Sequence, residues 1–324
     1  MRAIRVHQHG GPEVLSFEEV ALAAPGPGEA LLRQTAVGVN FIDVYFRSGL
    51  YPAPAGLPLT LGSEGAGIVE AVGEGVTAVK PGDRVAYAGP MGAYAESRLV
   101  PADRLVPLPD GVDDRTAAAA MLKGMTVQYL LRQTFKVGPE HTILFHAAAG
   151  GVGLIAGQWA RALGCRIIGT AGSDEKCALA LENGYDEVIN YRTENFAQRV
   201  RELTGGAGCD VVYDSIGKDT FPASLDCLKP RGLFVSFGNA SGAVEAFNLG
   251  LLSQKGSLYA TRPTLFSYVA KREDLLATAA DLFGVIADGT VHIAINQDFP
   301  LAAAADAHRA LESRATTGST ILLP

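Results

Sequence analysis

The chain has few cysteines, and none is placed to share a metal. Cys165, Cys177, Cys209 and Cys227 are widely spaced and form no CxxC pair, which argues against a structural zinc or iron–sulfur site. Isolated thiols suit a reducing compartment. No apolar run approaches the roughly 20 residues a membrane helix needs, and the opening MRAIRVHQHG lacks the apolar core of a secretory signal. These absences lead to the expectation of a cytoplasmic protein without a membrane partner. Basic runs are missing too. With 27 Lys and Arg against 34 Asp and Glu, the formal charge is −7, and nothing offsets phosphate repulsion, which argues against a nucleic-acid partner. No internal repeat or low-complexity tract is present.

What is abundant is glycine, at 38 residues, with 17 prolines. In the first third these punctuate short strand-like runs. RAIRV, EALLRQTAVGV, GAGIVEAVG and DRVAYA are separated by GGPE, PGPGE, GEG and KPGD, the rhythm of a compact, partly closed antiparallel barrel. Gly65 and Gly67, inside one run, predict a bend or a close backbone approach. From about Arg115 the chain turns Ala-rich and helical. Strands then alternate with helical intervals: TILFHAA, CRIIGTA, EVINY, CDVVYDS, GLFVSFG and SLYATR. Six apolar strands with helical crossovers predict a doubly wound parallel sheet, so the fold class is α/β with a second, barrel-like domain. KREDLLATAADLFGVIADGTV reads as a helix with Leu275, Ala279, Leu282 and Ile286 on one apolar face. A further helix and a terminal strand follow. The economical arrangement assigns 1–123 and 264–324 to the barrel-like catalytic domain, with 124–263 inserted as the nucleotide-binding domain.

The strand TILF runs into HAAAGGVGLIAGQWA. Within it, Gly151-Val152-Gly153-Leu-Ile-Ala156 fits the G-x-G-x-x-G/A dinucleotide pattern. Gly151 makes the tight turn, Gly153 lets a pyrophosphate approach the backbone, and the helix starting near Val152 offers free N–H groups to it. An NAD site carries an acidic residue at the end of the second strand to hold the ribose 2′-hydroxyl. Here that strand ends Gly169-Thr-Ala-Gly-Ser173 without a carboxylate. Ser173 can donate a hydrogen bond to a 2′-phosphate and Lys176 can pair with it. Asp174 and Glu175 oppose this electrostatically. The balance favours NADPH. His146, just before the loop, has no Ser or Asp arrangement around it in the sequence and reads as structural.

HGGPEVL, GVNFIDVYFRSGLYP, LGSEGAGIVEAVG, GDRVAY, HAAAGGVGLIAGQWA, VVYDSIG, FVSFGNASG and ESRATTGS together resemble quinone oxidoreductases of the zeta-crystallin type. These form the zinc-independent branch of the medium-chain dehydrogenases/reductases. The resemblance covers nearly the whole chain. It implies a GroES-like partly closed β-barrel catalytic domain, an inserted six-stranded Rossmann domain, and assembly as a homodimer or homotetramer. Where zinc relatives carry cysteine this chain has Asn40, and where they carry histidine it has Ser63. Their cysteine-rich loop is also missing. Glu64 remains and reads as a buried, hydrogen-bonded residue. No metal is expected.

Hydride from NADPH can reduce a quinone without a metal if the protein stacks the ring and stabilises the negative oxygen. The segment Asn40–Tyr51 supplies aromatics and donors, and Lys123 in MLKGMTV is a second candidate donor. The resemblance implies that Asn40, Asp43 and Tyr51 line the nicotinamide-side cleft and that Tyr45 lies close to the nicotinamide, with Asp43 fixing neighbouring donors. It carries further cofactor contacts onto Tyr129, Gly151, Val152, Ser173, Lys176, Tyr191, Ser215, Phe237, Gly238, Ala260, Arg262 and Arg314. The leading expectation is an NADPH-dependent quinone reductase in which the sequence leaves open one- or two-electron chemistry. The sister activity is reduction of the double bond of an enal or enone, a conjugated carbonyl. A reading of another class, an RNA-binding or crystallin-like structural protein, gets no support from the acidic charge. The run SLYATR is a candidate edge strand for pairing between subunits.

Overall fold

The computed structural model describes residues 1–324. The chain divides into two compact units, Met1–Met125 with Val269–Ala287 and Ile293–Pro324, and Thr126–Tyr268 with Asp288–His292.

The first unit is built on strands. A three-stranded sheet joins β1 (Arg2–Val6), β2 (Leu15–Glu19) and β4 (Leu59–Thr60) in the order β2-β1-β4. A seven-stranded sheet runs β15-β16-β3-β5-β6-β8, with β7 also on β3. Its members are β3 (Glu29–Val39), β5 (Glu64–Val72), β6 (Arg84–Ala88), β7 (Ser97–Pro101), β8 (Val106–Pro107), β15 (Ile295–Pro300) and β16 (Ser319–Leu323). Alternation along β3 sends Ala30, Leu32 and Gln34 inward, and Leu32 meets Ile4, Val69, Leu105 and Leu322 in one apolar core. The close approach expected at the strand glycines is real: a Cβ on Gly67 would lie 2.2 Å from the Arg33 carbonyl oxygen. The register of β3 against β5 slips beside it, between Gln34 and Ala36. The terminal strand β16 pairs antiparallel with β3, so the last residues complete this sheet. Its other neighbour, β15, is parallel to it, which departs from an all-antiparallel barrel. β15 was not legible in the sequence because INQDFP is a half-buried edge with polar residues on alternate positions.

Two helices of this unit matter for the site. α1 (Phe41–Ser48) follows β3 directly, opened by Asn40 in an extended conformation and closed by Gly49 at φ 84°. α2 (Asp114–Tyr129) is the Ala-rich helix, and it widens into a π-helical turn over Leu130–Thr134. In the helix Arg272–Ala287, Leu275, Ala279 and Leu282 are buried, with Phe283 rather than Ile286 as the next fully buried position.

The second unit holds a six-stranded, fully parallel sheet in the order β11-β10-β9-β12-β13-β14, namely β9 (Thr142–Phe145), β10 (Arg166–Ala171), β11 (Glu187–Asn190), β12 (Cys209–Asp214), β13 (Leu228–Ser236) and β14 (Tyr259–Thr261). The order reverses between β9 and β12, as in a doubly wound Rossmann sheet, and ligands bind such sheets at the carboxyl ends of the strands. β12 is buried at every residue, the mark of a central parallel strand. α3 (Gly151–Ala162), α4 (Asp174–Glu182) and α5 (Phe196–Leu203) supply the crossovers after β9, β10 and β11. After β12 the expected long helix is one turn, Ala223–Asp226, and β13 starts earlier, at Leu228. Pro222 sits immediately before that turn and interrupts helical continuation.

Candidate functional site

In the second unit the strand ends collect most of the expected cofactor residues. Phe145 ends β9 and leads into the loop to α3. Gly150 precedes that helix in an extended conformation, and no side chain caps it. The N–H groups of Gly151, Val152 and Gly153 therefore form an open helix N-terminus, which favours an anion. Gly153 cannot carry a side chain, because its Cβ would lie 2.4 Å from the Ala147 carbonyl oxygen and 2.5 Å from that of Ala148. At the next strand end, Ser173 caps α4 by accepting the Lys176 N–H at 3.3 Å. Asp174 turns aside to accept from Asn190 Nδ2 at 2.7 Å. Glu175 is fully exposed, and the Ser173 hydroxyl bonded to it lowers its pKa. Tyr191 follows β11 with its N–H on the Ala171 carbonyl, and its phenol lies over Gly172.

Ser215 lies just past β12, Phe237 and Gly238 just past β13, and Arg262 just past β14. The Phe237 N–H donates to the Asp214 carbonyl at 2.8 Å, and Phe145 and Phe237 rings pack with centroids 5.6 Å apart. Arg262 Nη1 donates to the Ser236 carbonyl at 3.1 Å. Ala260 is exposed within β14. Tyr129 lies on α2, buried and stacked on Tyr268 at 4.5 Å, and close enough to Arg262 to feel its charge. Beneath these loops His146 is buried, with its two ring nitrogens 2.9 Å from Thr170 Oγ1 and 3.0 Å from Ser224 Oγ. Ser224 donates onward to Asp214 at 2.8 Å. The hydroxyl stands between imidazole and carboxylate, so the three ties brace strand ends and do not build a nucleophile.

In the first unit Asn40, Asp43 and Lys123 come together around two buried carboxylates. Glu64 is fully buried and accepts from Asn40 Nδ2 at 2.7 Å, the Leu122 N–H at 2.6 Å and Lys123 Nζ at 2.5 Å. Lys123, itself only 5% exposed, is therefore no surface lysine. Asp43, also fully buried, accepts the Asn40 N–H at 2.9 Å, Ser63 Oγ at 3.2 Å and Tyr94 Oη at 3.2 Å. Burial raises its pKa to about 7, against the opposing pull of the Asn40 and Tyr94 hydrogen bonds. Tyr45 and Tyr51 pack edge to face at 5.2 Å, and Phe46 meets Tyr51 at 5.7 Å, so the far end of the segment is an aromatic cluster. Arg314 lies exposed on the turn after the helix Ala304–Glu312, at φ 58°.

Comparison with known proteins decides the family. Residues 26–110 match the alcohol dehydrogenase GroES-like domain and residues 151–281 match the zinc-binding dehydrogenase family. A quinone oxidoreductase from Pseudomonas aeruginosa is 61% identical, over 100% of this chain and 99% of that protein. The chain belongs to the quinone oxidoreductase family. It falls in the zinc-independent branch of the medium-chain dehydrogenases/reductases. The crystal structure of Escherichia coli quinone oxidoreductase complexed with NADPH is similar, with a TM-score of 0.98 and 52% identity over 100% of both chains. A 2-haloacrylate reductase from a Burkholderia species is 47% identical over 98% of both chains.

The zinc in the matched family's description finds no fitting donors in this quinone oxidoreductase family member. Asn40 and Ser63 offer an amide and a hydroxyl in place of thiolate and imidazole, and Glu64 is already held by three donors. Nowhere do three His, Cys, Asp or Glu side chains gather as ligands. Sequence reasoning missed Tyr94, which bonds Asp43 from 51 positions away, and His308, which bonds Tyr94 from 214 positions away. Neither belongs to a local motif, so only the folded chain reveals them.

Proposed function

We propose that this chain is an NADPH-dependent quinone reductase that works without a metal. The observation that carries the reading is the carboxyl edge of the parallel sheet in a member of this family. There an uncapped α3 N-terminus stands beside a second strand that ends without a carboxylate. Gly151, Val152 and Gly153 would hold the pyrophosphate, and Ser173, Lys176 and Tyr191 the 2′-phosphate side of the adenosine. Ser215, Phe237, Gly238, Ala260 and Arg262 would complete the pocket in this unit, with Tyr129, Tyr45 and Arg314 as further contacts. When bound, NADPH supplies the hydride. The protein's part is to orient the quinone and stabilise charge on its oxygen. We assign that part to Asn40, Tyr45, Tyr51 and Lys123, with Asp43 fixing Asn40 and Ser63. Asn40 Nδ2 and Lys123 Nζ share one acceptor, Glu64 Oε1. This arrangement keeps both donors oriented.

The working form is proposed to be a cytoplasmic homodimer or homotetramer. No helix is long and apolar enough to cross a membrane, and all four cysteines are free thiols. β14 is an edge strand of the parallel sheet, with Tyr259 63% exposed on it and Leu249 71% exposed nearby in sequence. An uncovered apolar edge of this kind suits strand pairing with a second copy.

The similarity to a 2-haloacrylate reductase favours a second reading, reduction of a conjugated carbon–carbon double bond with the same hydride donor. Loss of nicotinamide absorbance with benzoquinone, naphthoquinone and simple enones, followed by product analysis, separates the two. Reduced quinone supports the first reading, and a saturated carbonyl as the only product transfers the protein to the second.

A further inference from the structure

Asp43 belongs to a ring of hydrogen bonds that closes back on its own helix. Tyr94 Oη lies 3.2 Å from Asp43 Oδ2 and 3.0 Å from His308 Nε2. His308 Nδ1 lies 2.9 Å from Arg47 Nη1. Arg47, one turn after Asp43 on α1, is 1% exposed and forks onto Glu312 at 2.8 and 2.7 Å, with Nε on the Gly10 carbonyl.

The donors in this ring have only one consistent direction. A guanidinium donates and never accepts, so His308 Nδ1 is the acceptor. A neutral imidazole then carries its proton on Nε2 and gives it to Tyr94 Oη. The Tyr94 proton is left to point at Asp43. The imidazole stays neutral because burial, helped by the Arg47 charge, holds its pKa near 3. With Oδ2 taking both the Tyr94 hydroxyl and the Asn40 N–H, a proton reaching Asp43 has Oδ1 as its place, where Ser63 Oγ stands. The other charged neighbours are Glu64, which disfavours ionisation, and Lys123, which favours it. Tyr87 is the remaining titratable group facing this cluster, and burial raises its pKa.

We infer that Arg47, His308 and Tyr94 are positioning residues that favour the ionised form of Asp43 against the effect of its burial, and so set the pH below which the Asn40–Tyr51 segment loses its working geometry. The inference rests on the assignment of that segment to the quinone. The ionised Asp43 tethers Asn40 at the start of α1 and orients Ser63. Protonation weakens the tether and turns Ser63 from donor to acceptor.

The test is Tyr94→Phe, which removes one hydroxyl and keeps the ring. The Asp43 carboxyl is followed by 13C NMR across pH, assigned with Asp43→Asn, and kcat/KM for benzoquinone with NADPH is measured over the same range. Losing a donor to the charged form should move both the carboxyl midpoint and the acidic limb upward by about one pH unit. A uniform loss of activity with both midpoints unmoved would mean a structural role only and overturn the inference. A carboxyl midpoint that moves while the limb stays would also overturn it, at the step from Asp43 to the site. Absence of quinone turnover in the wild type is a failure of the proposed function, seen before any variant is made. The carboxyl titration still decides the hold on Asp43 in that case. Should the variant not fold, 15N NMR of histidine-labelled wild type decides: His308 protonated on Nε2 alone between pH 5 and 8 supports the chain, and any other form overturns it.

Discussion

Lys123 Nζ meets Glu64 Oε1 at 2.5 Å, with the lysine side chain 7% exposed and the glutamate side chain fully buried. Removing one partner of such a pair leaves the other charge buried and typically costs about 3–5 kcal/mol. Lys123→Met should therefore lower the melting temperature sharply, and adding Glu64→Gln should recover part of the loss. Equal melting of the single and double variants would contradict the ion pair. Lys176 follows the exposed Asp174 and Glu175 in the first turn of α4. If it meets the 2′-phosphate, Lys176→Ala should weaken NADPH binding by roughly ten- to a hundredfold, the worth of one charge-assisted hydrogen bond. NADH binding should hardly change. Calorimetric titration with both nucleotides reads the difference directly.

The strand–loop–helix unit from β9 to α3 was the most legible element, because its glycine spacing answers to backbone geometry and to no partner far along the chain. Gly153→Val should abolish NADPH binding and destabilise the fold, since the new Cβ meets carbonyl oxygens that cannot move aside. Thermal melting and nucleotide titration check both effects, and retained binding would contradict the assigned turn. The six parallel strands were legible as apolar runs between helical intervals. The one-turn crossover before β13 was not, because Ala-Ser-Leu-Asp carries no helical periodicity long enough to measure. At the site, Asn40, Asp43 and Lys123 were legible as residues with suitable chemistry. That Lys123 is buried was not, because its partner Glu64 comes from β5, far from α2 in the chain. His308 reaches Tyr94 only through the return of the terminal segments to the first unit.

For the whole molecule, Asp43 links stability to pH. Its carboxyl titrates at an ordinary value of 3.8 in the unfolded chain and about 7 in the folded protein. Between these values the folded state keeps a proton that the unfolded state releases, so this group's contribution falls as pH rises from about 4 to 7. Above pH 7 the charged form costs the fold on the order of 4 kcal/mol. Asp43→Asn should therefore gain in melting temperature, relative to the wild type, on going from pH 5 to pH 8. Protonation of buried His308 destabilises at low pH in both proteins and drops out of that difference. A difference that does not grow with pH would contradict the buried carboxyl. The same variant should lose quinone turnover, a stability gained at the expense of activity. The proposed assembly is testable at β14, where Tyr259→Lys should shift the sedimenting species toward monomer.

This chain moves reducing equivalents from NADPH to a quinone. The most direct test is the initial rate of nicotinamide oxidation by the purified protein with benzoquinone, using NADPH and NADH in parallel after removal of added metals with a chelator. Turnover should survive chelation, with a kcat/KM at least about tenfold higher for NADPH than for NADH. Equal use of both nucleotides would contradict the 2′-phosphate site, and tight NADPH binding without quinone turnover would contradict the reaction itself.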